Sequence, residues 1–169
     1  MPRWVVGGLL IVFGVLAVVS EHAVRVLETQ LAAAVAGMTF ATDTMVAWTG
    51  GDPVIGFTLG HGWFAGQVTA FTGSAVFVAG IAVIGGVLVA AGRLTWSRGL
   101  AITAAGVLAL VIGGQLRLLV SAFVIGTSAQ QGAYPLNHPI GLAAMIVAAL
   151  GVVTCFFFAV RTARRARTA

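Results

Sequence analysis

Three stretches of the chain run for more than twenty residues with at most one charged side chain: residues 63–92, 99–126 and 139–160. A fourth stretch, 4–20, carries no charge at all. Crossing a hydrocarbon core of about 30 Å takes roughly 20 apolar residues in a helix, so these four stretches read as membrane spans. Composition agrees. Of 169 residues, 60% are apolar and 8% charged, and the mean hydropathy is +1.08; a soluble domain carries about 25% charged residues. A disordered chain, a DNA-binding domain and an ordinary soluble enzyme are thereby excluded. We expect an all-α integral membrane protein with a single transmembrane domain over 1–169. It is a four-transmembrane-helix bundle with spans at about 4–20, 63–92, 99–126 and 139–160, an outer amphipathic segment at 21–61 and a basic cytoplasmic tail at 161–169. Residues 4–20 also resemble a signal peptide, with Arg3 as a basic start, but no small-x-small cleavage site follows Ser20, so a retained helix is expected.

Nine arginines, no lysine and four acids give a net charge of +5. On a chain this apolar, the excess reflects membrane topology rather than nucleic-acid binding, because cytoplasmic loops collect positive charge. With four spans, Arg3, Arg93, Arg98, Arg161, Arg164, Arg165 and Arg167 fall on one side. That side is the cytoplasm of a plasma (cytoplasmic) membrane, with both termini facing it. Letting 23–50 cross as well would carry the 93–98 loop and the basic tail outside and set several ionisable groups in or beside the span. All four acids, Glu21, Glu28, Asp43 and Asp52, lie between residues 21 and 61. There Val24, Leu27, Leu31, Val35 and Met38 recur at helical spacing, with Arg25, Glu28 and Thr29 between them. The pattern predicts an amphipathic helix at the outer interface or over the bundle, broken by the TGGDP tract at 49–53.

Glycine supplies a packing code. Gly66, Gly73 and Gly80 recur every seven residues on the second span, and Gly99, Gly106 and Gly113 on the third. Small residues on one stripe let helix backbones approach closely, so both stripes are expected at helix–helix contacts.

Arg117 is the charge that a span should not tolerate. It follows Gly113 by four residues, shares the glycine face and lies roughly 27 Å from the cytoplasmic start of its helix. Such a permanently charged group serves either to snorkel toward outer headgroups or to stabilise an anion or oxyanion. His138 ends the outer loop just before the fourth span, at the depth expected for Arg117. It is either an interfacial residue or an acid/base group. Cys155 stands 17 residues further along the same helix, roughly 25 Å lower, and is expected to be a small buried apolar filler. Thr69, Thr72 and Ser74 fall in the outer half of the second span, where hydroxyls usually bond their own backbone. His22, His61 and His138 share no i, i+4 spacing, so neither a metal nor a cofactor is expected.

Taken in order, QVTAFTGSAVFVAG, the R93–R98 loop, GGQLRLLVSAFVIG and NHPIG resemble the exosortase/archaeosortase family of membrane transpeptidases over roughly residues 21–160. Gly114-Gln-Leu-Arg117 is similar to the family's Asn-x-x-Arg motif, and His138-Pro-Ile-Gly141 to its His-x-x-Gly. Arg25-Val-Leu-Glu28 is similar to a recurring Arg-x-x-Glu. The resemblance implies a site on the extracytoplasmic face that includes Arg117 and His138. It sets Phe71 at the position of the nucleophilic cysteine and Gly114 at that of the motif asparagine. Phenylalanine cannot form an acyl-enzyme, and a thiolate is what such chemistry needs. Three functions follow as expectations. The first is an exosortase-like protein without cysteine-dependent catalysis that retains an outer-face binding site for the C-terminal sorting helix of a secreted protein or for another integral membrane subunit. The second is a small accessory subunit of a membrane complex, with Arg117 and His138 structural. The third is an active transpeptidase or protease that uses another nucleophile such as Thr72. Membrane lipids are partners in each, and nucleic acid in none.

Overall fold

The computed structural model describes residues 2–40, 43–59, 62–68, 73–127, 133–135 and 139–168. Helices dominate it. They are α1 (Arg3–Val19), α2 (Glu21–Phe40), α3 (Ala75–Ala90), α4 (Trp96–Thr127) and α5 (Pro139–Thr168), and the strands are β1 (Thr44–Thr49), β2 (Asp52–Leu59), β3 (Gly62–Gln67) and β4 (Ala133–Pro135). Two helices are long and apolar enough to cross a membrane, α4 over Trp96–Val120 and α5 over Met145–Ala163; α1 and α2 counted as one broken span make a third candidate. The helix α3 is apolar but shorter.

The chain divides into two compact units, one of Met1–Ser20, Ala75–Val111 and Ile146–Ala169, the other of Glu21–Ser74 and Ile112–Met145. In the first unit, α1 packs along α3 through facing glycines. A Cβ on Gly7 would stand 2.7 Å from the Gly86 carbonyl oxygen, and a Cβ on Gly86 the same distance from that of Gly7. About two turns on, a Cβ on Gly14 would stand 2.9 Å from the Ala79 carbonyl oxygen. Without side chains at these points the two backbones meet directly and gain dispersion contacts that bulkier residues would deny them. The helix α4 adds its own glycines. A Cβ at Gly106 would come within 2.6 Å of Val152 and 3.3 Å of Ile81, and one at Gly99 would run into Val89.

The second unit contains a sheet, which corrects the all-α expectation. Its strand order is β1-β2-β3-β4. The first three strands are antiparallel, and β4 joins β3 in parallel. The TGGDP tract is a hairpin turn rather than a helix break. Thr49 pairs with Asp52 across Gly50 and Gly51, whose φ values of 60° and 87° are those a tight two-residue hairpin demands and glycine adopts without strain. The core of this unit joins Ala32 and Ala33 of α2 to Ile55 and Phe57 of β2, with Val68 and with Leu118 of α4.

Two further expectations are corrected. The second span does not begin at 63: residues 62–67 are strand β3, and helix starts at Ala75. Gly66 therefore lies in a strand and Gly73 ahead of the helix, while Gly80, on α3, has nothing within 4 Å of its missing side chain. The heptad of Gly66, Gly73 and Gly80 is thus no helical stripe; the partner stripe that reasoning overlooked is Gly7 and Gly14. The apolar stripe of α2 is also not its buried face. Leu27, Leu31 and Met38 are exposed and Val24 and Val35 half-buried, whereas Arg25, Glu28 and Thr29 are buried on the same side as Ala32, Ala33 and Ala36. Large apolar side chains facing out are what a lipid environment would tolerate better than water.

These glycines separate by experiment. Gly86→Ala drives a methyl into the Gly7 carbonyl and should destabilise the protein by about 1–3 kcal/mol. Gly80→Ala meets open space and should be neutral or stabilising by up to about 1 kcal/mol. Unfolding of the detergent-solubilised protein measures both; equal effects would show that α1 and α3 do not meet as described.

Candidate functional site

The buried polar residues of the second unit form two groups on one face of α2. The first group is built on Arg25, which is 7% exposed. Its guanidinium pairs with Asp52 at the start of β2 and with Glu21 one turn back on α2, at 3.1 Å from Nη2 to Oε2. Nη1 also donates to the Val68 carbonyl at 3.3 Å, and Gln67 Nε2 donates to the other Asp52 oxygen at 3.1 Å. A guanidinium has donors enough to serve several acceptors at once. The group therefore ties α2 to the β1–β2 hairpin and to the end of β3.

The second group is built on Glu28, also 7% exposed. Its carboxylate accepts the Ser74 backbone N–H at 3.2 Å and the Ser74 hydroxyl. Ser74 is the residue immediately before α3. From α4, Gln115 Nε2 donates to the Glu28 carbonyl at 3.3 Å, and the positive charge of Arg117 bears on the Glu28 carboxylate. Arg117 is 4% exposed, and its buried Nε has no hydrogen-bond partner among the described residues. The Gln115 Oε1 is likewise unpartnered. At Gly114, a Cβ would lie 3.8 Å from both Glu28 Oε1 and Ser74 Cβ, so the backbone of α4 passes beside the carboxylate. The arrangement presents a buried cation with an unused donor beside a carboxylate whose own bonds go to one serine.

Of the residues read from the sequence, Arg25, Glu28, Gly114 and Arg117 come together in this unit. His138, Phe71 and Thr72 lie outside the described residues, as do His61 and Thr69. Gly113 packs on α5, where a Cβ would stand 3.5 Å from Met145 Sδ. The expectation of a buried Cys155 is corrected: it is exposed on α5 in the first unit, on an apolar helix whose length and spacing do not tell which face is covered. His22 stacks obliquely on Trp48 with ring centroids 5.8 Å apart. Among the described residues no three of His, Cys, Asp and Glu gather as metal ligands. Sequence reasoning missed the roles of Ser74, Gln115, Asp52 and Gln67. Ser74 was expected to bond its own helix, as Thr29 does to the Arg25 carbonyl at 2.7 Å; instead it serves Glu28, 46 residues away. Comparison with protein-family models, with curated proteins and with solved structures finds no match.

Removing Arg25 leaves Glu21 and Asp52 without their shared cation in a partly buried place. Arg25→Ala should therefore cost roughly 3 kcal/mol, and Arg25→Lys should recover only part of it, because a point charge cannot fork between two acids and a carbonyl. Denaturant unfolding in micelles reads both; a loss below about 0.5 kcal/mol for Arg25→Ala would show the pairs to be solvated.

Proposed function

We propose that this protein is an exosortase-like integral membrane protein that lacks cysteine-dependent catalysis and keeps a binding site on the extracytoplasmic face, with both termini in the cytoplasm. What it holds there is the C-terminal sorting helix of a secreted protein or another integral membrane subunit. The observation that carries the reading is the meeting of three segments that the resemblance singles out. Arg25-x-x-Glu28, the tract ending at Ser74 and Gly114-x-x-Arg117 are far apart in the chain, yet Glu28 accepts from Ser74 and lies 3.8 Å from where a Gly114 Cβ would stand. The buried Arg117 Nε supports binding, since a donor out of water and without an acceptor costs free energy that a bound carbonyl or carboxylate recovers. Phe71 at the nucleophile position supports loss of the cysteine chemistry, since a phenyl ring cannot form an acyl-enzyme.

Mechanistically, Arg117 supplies the polar anchor of such a site. Its planar guanidinium stays charged at every physiological pH and directs N–H groups at a carbonyl or carboxylate oxygen. In an active relative the same donor would face the oxyanion that forms on attack; here, without a thiol, it acts in binding alone.

Two measurements test this. Purification from the native membrane followed by mass spectrometry should recover a tightly held secreted protein or integral partner, and Arg117→Ala should reduce its yield about 10- to 100-fold, as expected for loss of a charge-assisted hydrogen bond. Recovery unchanged by Arg117→Ala would remove Arg117 from the site. Separately, Phe71→Cys combined with Gly114→Asn should restore a covalent acyl adduct with a sorting-signal peptide, seen as a mass shift that thiol treatment reverses. Its absence in a folded double variant would count against the transpeptidase ancestry of the site.

A further inference from the structure

The first unit carries all its charge at one end. Its segments, 1–20, 75–111 and 146–169, hold seven arginines and no Asp or Glu. Helix packing collects the arginines. Gly7 of α1 meets Gly86 of α3, and Gly85 of α3 meets Thr103 of α4 and Phe156 of α5, which marks one level of the unit. Gly14 against Ala79, Gly99 against Val89 and Gly106 against Ile81 and Val152 show that the helices in contact run antiparallel. At about 1.5 Å per residue, Arg3, Arg98 and Arg161 therefore stand roughly 6–8 Å beyond that level on the same side, and Arg93 lies in the turn from α3 to α4. All four are exposed, and Trp4 and Trp96, both exposed, sit with them as interfacial tryptophans do.

From this end an apolar groove of about 440 Å³ runs between α1 and α4, with Leu10 and Phe13 on one wall and Leu100, Ala104 and Val111 on the other. Thr103 also lines it, but its hydroxyl is turned against Gly85. From Leu100 to Val111 the groove is roughly 16 Å long, about half of a hydrocarbon core of about 30 Å and so the depth of one leaflet. Its mouth is basic. Arg3 precedes Leu10 by seven residues and Trp96 precedes Leu100 by four, so each shares the face of its helix that forms a wall. The Arg3 guanidinium is held there, with Cζ 5.3 Å from the Trp4 ring centroid and Nη1 beside Gly92, 2.7 Å from where a Cβ would stand.

We propose that this end of the first unit binds one anionic phospholipid, with its phosphate on Arg3 and Arg93 and an acyl chain in the groove between α1 and α4. Charge selects the occupant. Guanidinium groups fork onto phosphate oxygens, the unit has no acid to offset them, and a zwitterionic headgroup would bring a cation that they repel. Length selects it too. A partner helix would need a groove across the whole core, whereas this one ends about halfway, where an acyl chain ends. The proposal requires only that the unit lies in a bilayer, and it does not rest on the exosortase-like reading.

Competition between dioleoyl phosphatidylglycerol and dioleoyl phosphatidylcholine for the detergent-solubilised protein, read by native mass spectrometry, tests it. The parent protein should retain one phosphatidylglycerol in preference to phosphatidylcholine. An arginine near a lipid surface is worth about fivefold in affinity for an anionic lipid, so Arg3→Gln and Arg93→Gln should each lower that preference by about this factor. Ala104→Phe fills the groove from its wall and should reduce retention of both lipids while leaving the preference between them. All three side chains are exposed, so the variants keep the fold. Sodium phosphate should displace the lipid no more than sodium chloride of equal ionic strength. Equal retention of the two lipids, a preference that survives loss of both arginines, or retention untouched by Ala104→Phe overturns the proposal. Displacement by phosphate beyond that by chloride also overturns it, because the arginines would then serve a free anion.

Discussion

A carboxylate out of water has to be satisfied by the protein around it, and Glu28 is such a group. Burying an acid without partners is among the most costly events in folding. Here Ser74, 46 residues away, supplies both donors to the carboxylate, while Gln115 of α4, 87 residues away, donates to the Glu28 backbone carbonyl. The apolar core of the second unit, from Ala32 to Leu118, supplies most of the driving force, but that force has no direction. Hydrogen bonds to Glu28 do have direction. They admit one placement of α2 against Ser74 ahead of α3 and against Gln115 on α4. The Arg25 group repeats the device on the sheet side, where Asp52 and the Val68 carbonyl fix the same helix to the hairpin and to the end of β3.

Turning polar residues inward reverses the usual reading of an amphipathic helix. The apolar stripe of Val24, Leu27, Leu31, Val35 and Met38 is plain in the sequence, but a stripe does not state what faces it. Next to water it would be buried; next to lipid it is the outer surface. In α2 it is the outer surface, with Leu27 65% and Met38 78% exposed. The charge count could have suggested this, since a helix with an Arg-x-x-Glu on its narrow face in so apolar a chain is better served by partners inside the protein than by a bilayer outside it.

Legibility followed the continuity of the signal. The apolar runs at 99–126 and 139–160 match α4 and α5, because both stay rich in Ala, Leu, Val and Ile along their whole length. The run at 63–92 misled, since an uncharged stretch fits a strand followed by a helix as well as one long helix. The Gly-rich WFAGQVTAFTGS half carries no helical periodicity to decide between them. The hairpin was readable: TMVAWT and DPVIGFTL flank a Gly-Gly pair, the spacing of a two-residue turn, and it was lost to the assumption that a membrane chain contains only helices. Of the candidate site, Arg117 announced itself by being a charge in a span. Ser74 did not, because a serine ahead of an apolar helix reads as a cap for that helix, and nothing local tells whether a distant acid shares it.

The two units divide the work along the same physical line. In the first, Gly7, Gly14 and Gly86 bring helices together by removing side chains, and Gly85 accepts Thr103 and Phe156 in the same way. Such packing tolerates no added atom, and among the described residues the buried Thr103 hydroxyl beside Gly85 has no hydrogen-bond partner. In the second unit the contacts are polar and glycine is not what makes them: a Cβ on Gly114 would make only ordinary contact with Glu28 and Ser74, at 3.8 Å. There the directional bonds of Arg25 and Glu28 do what backbone contact does in the first unit. A search for helix-packing stripes finds the first kind of joint and passes over the second, because a buried acid and its distant serine leave no period in the sequence.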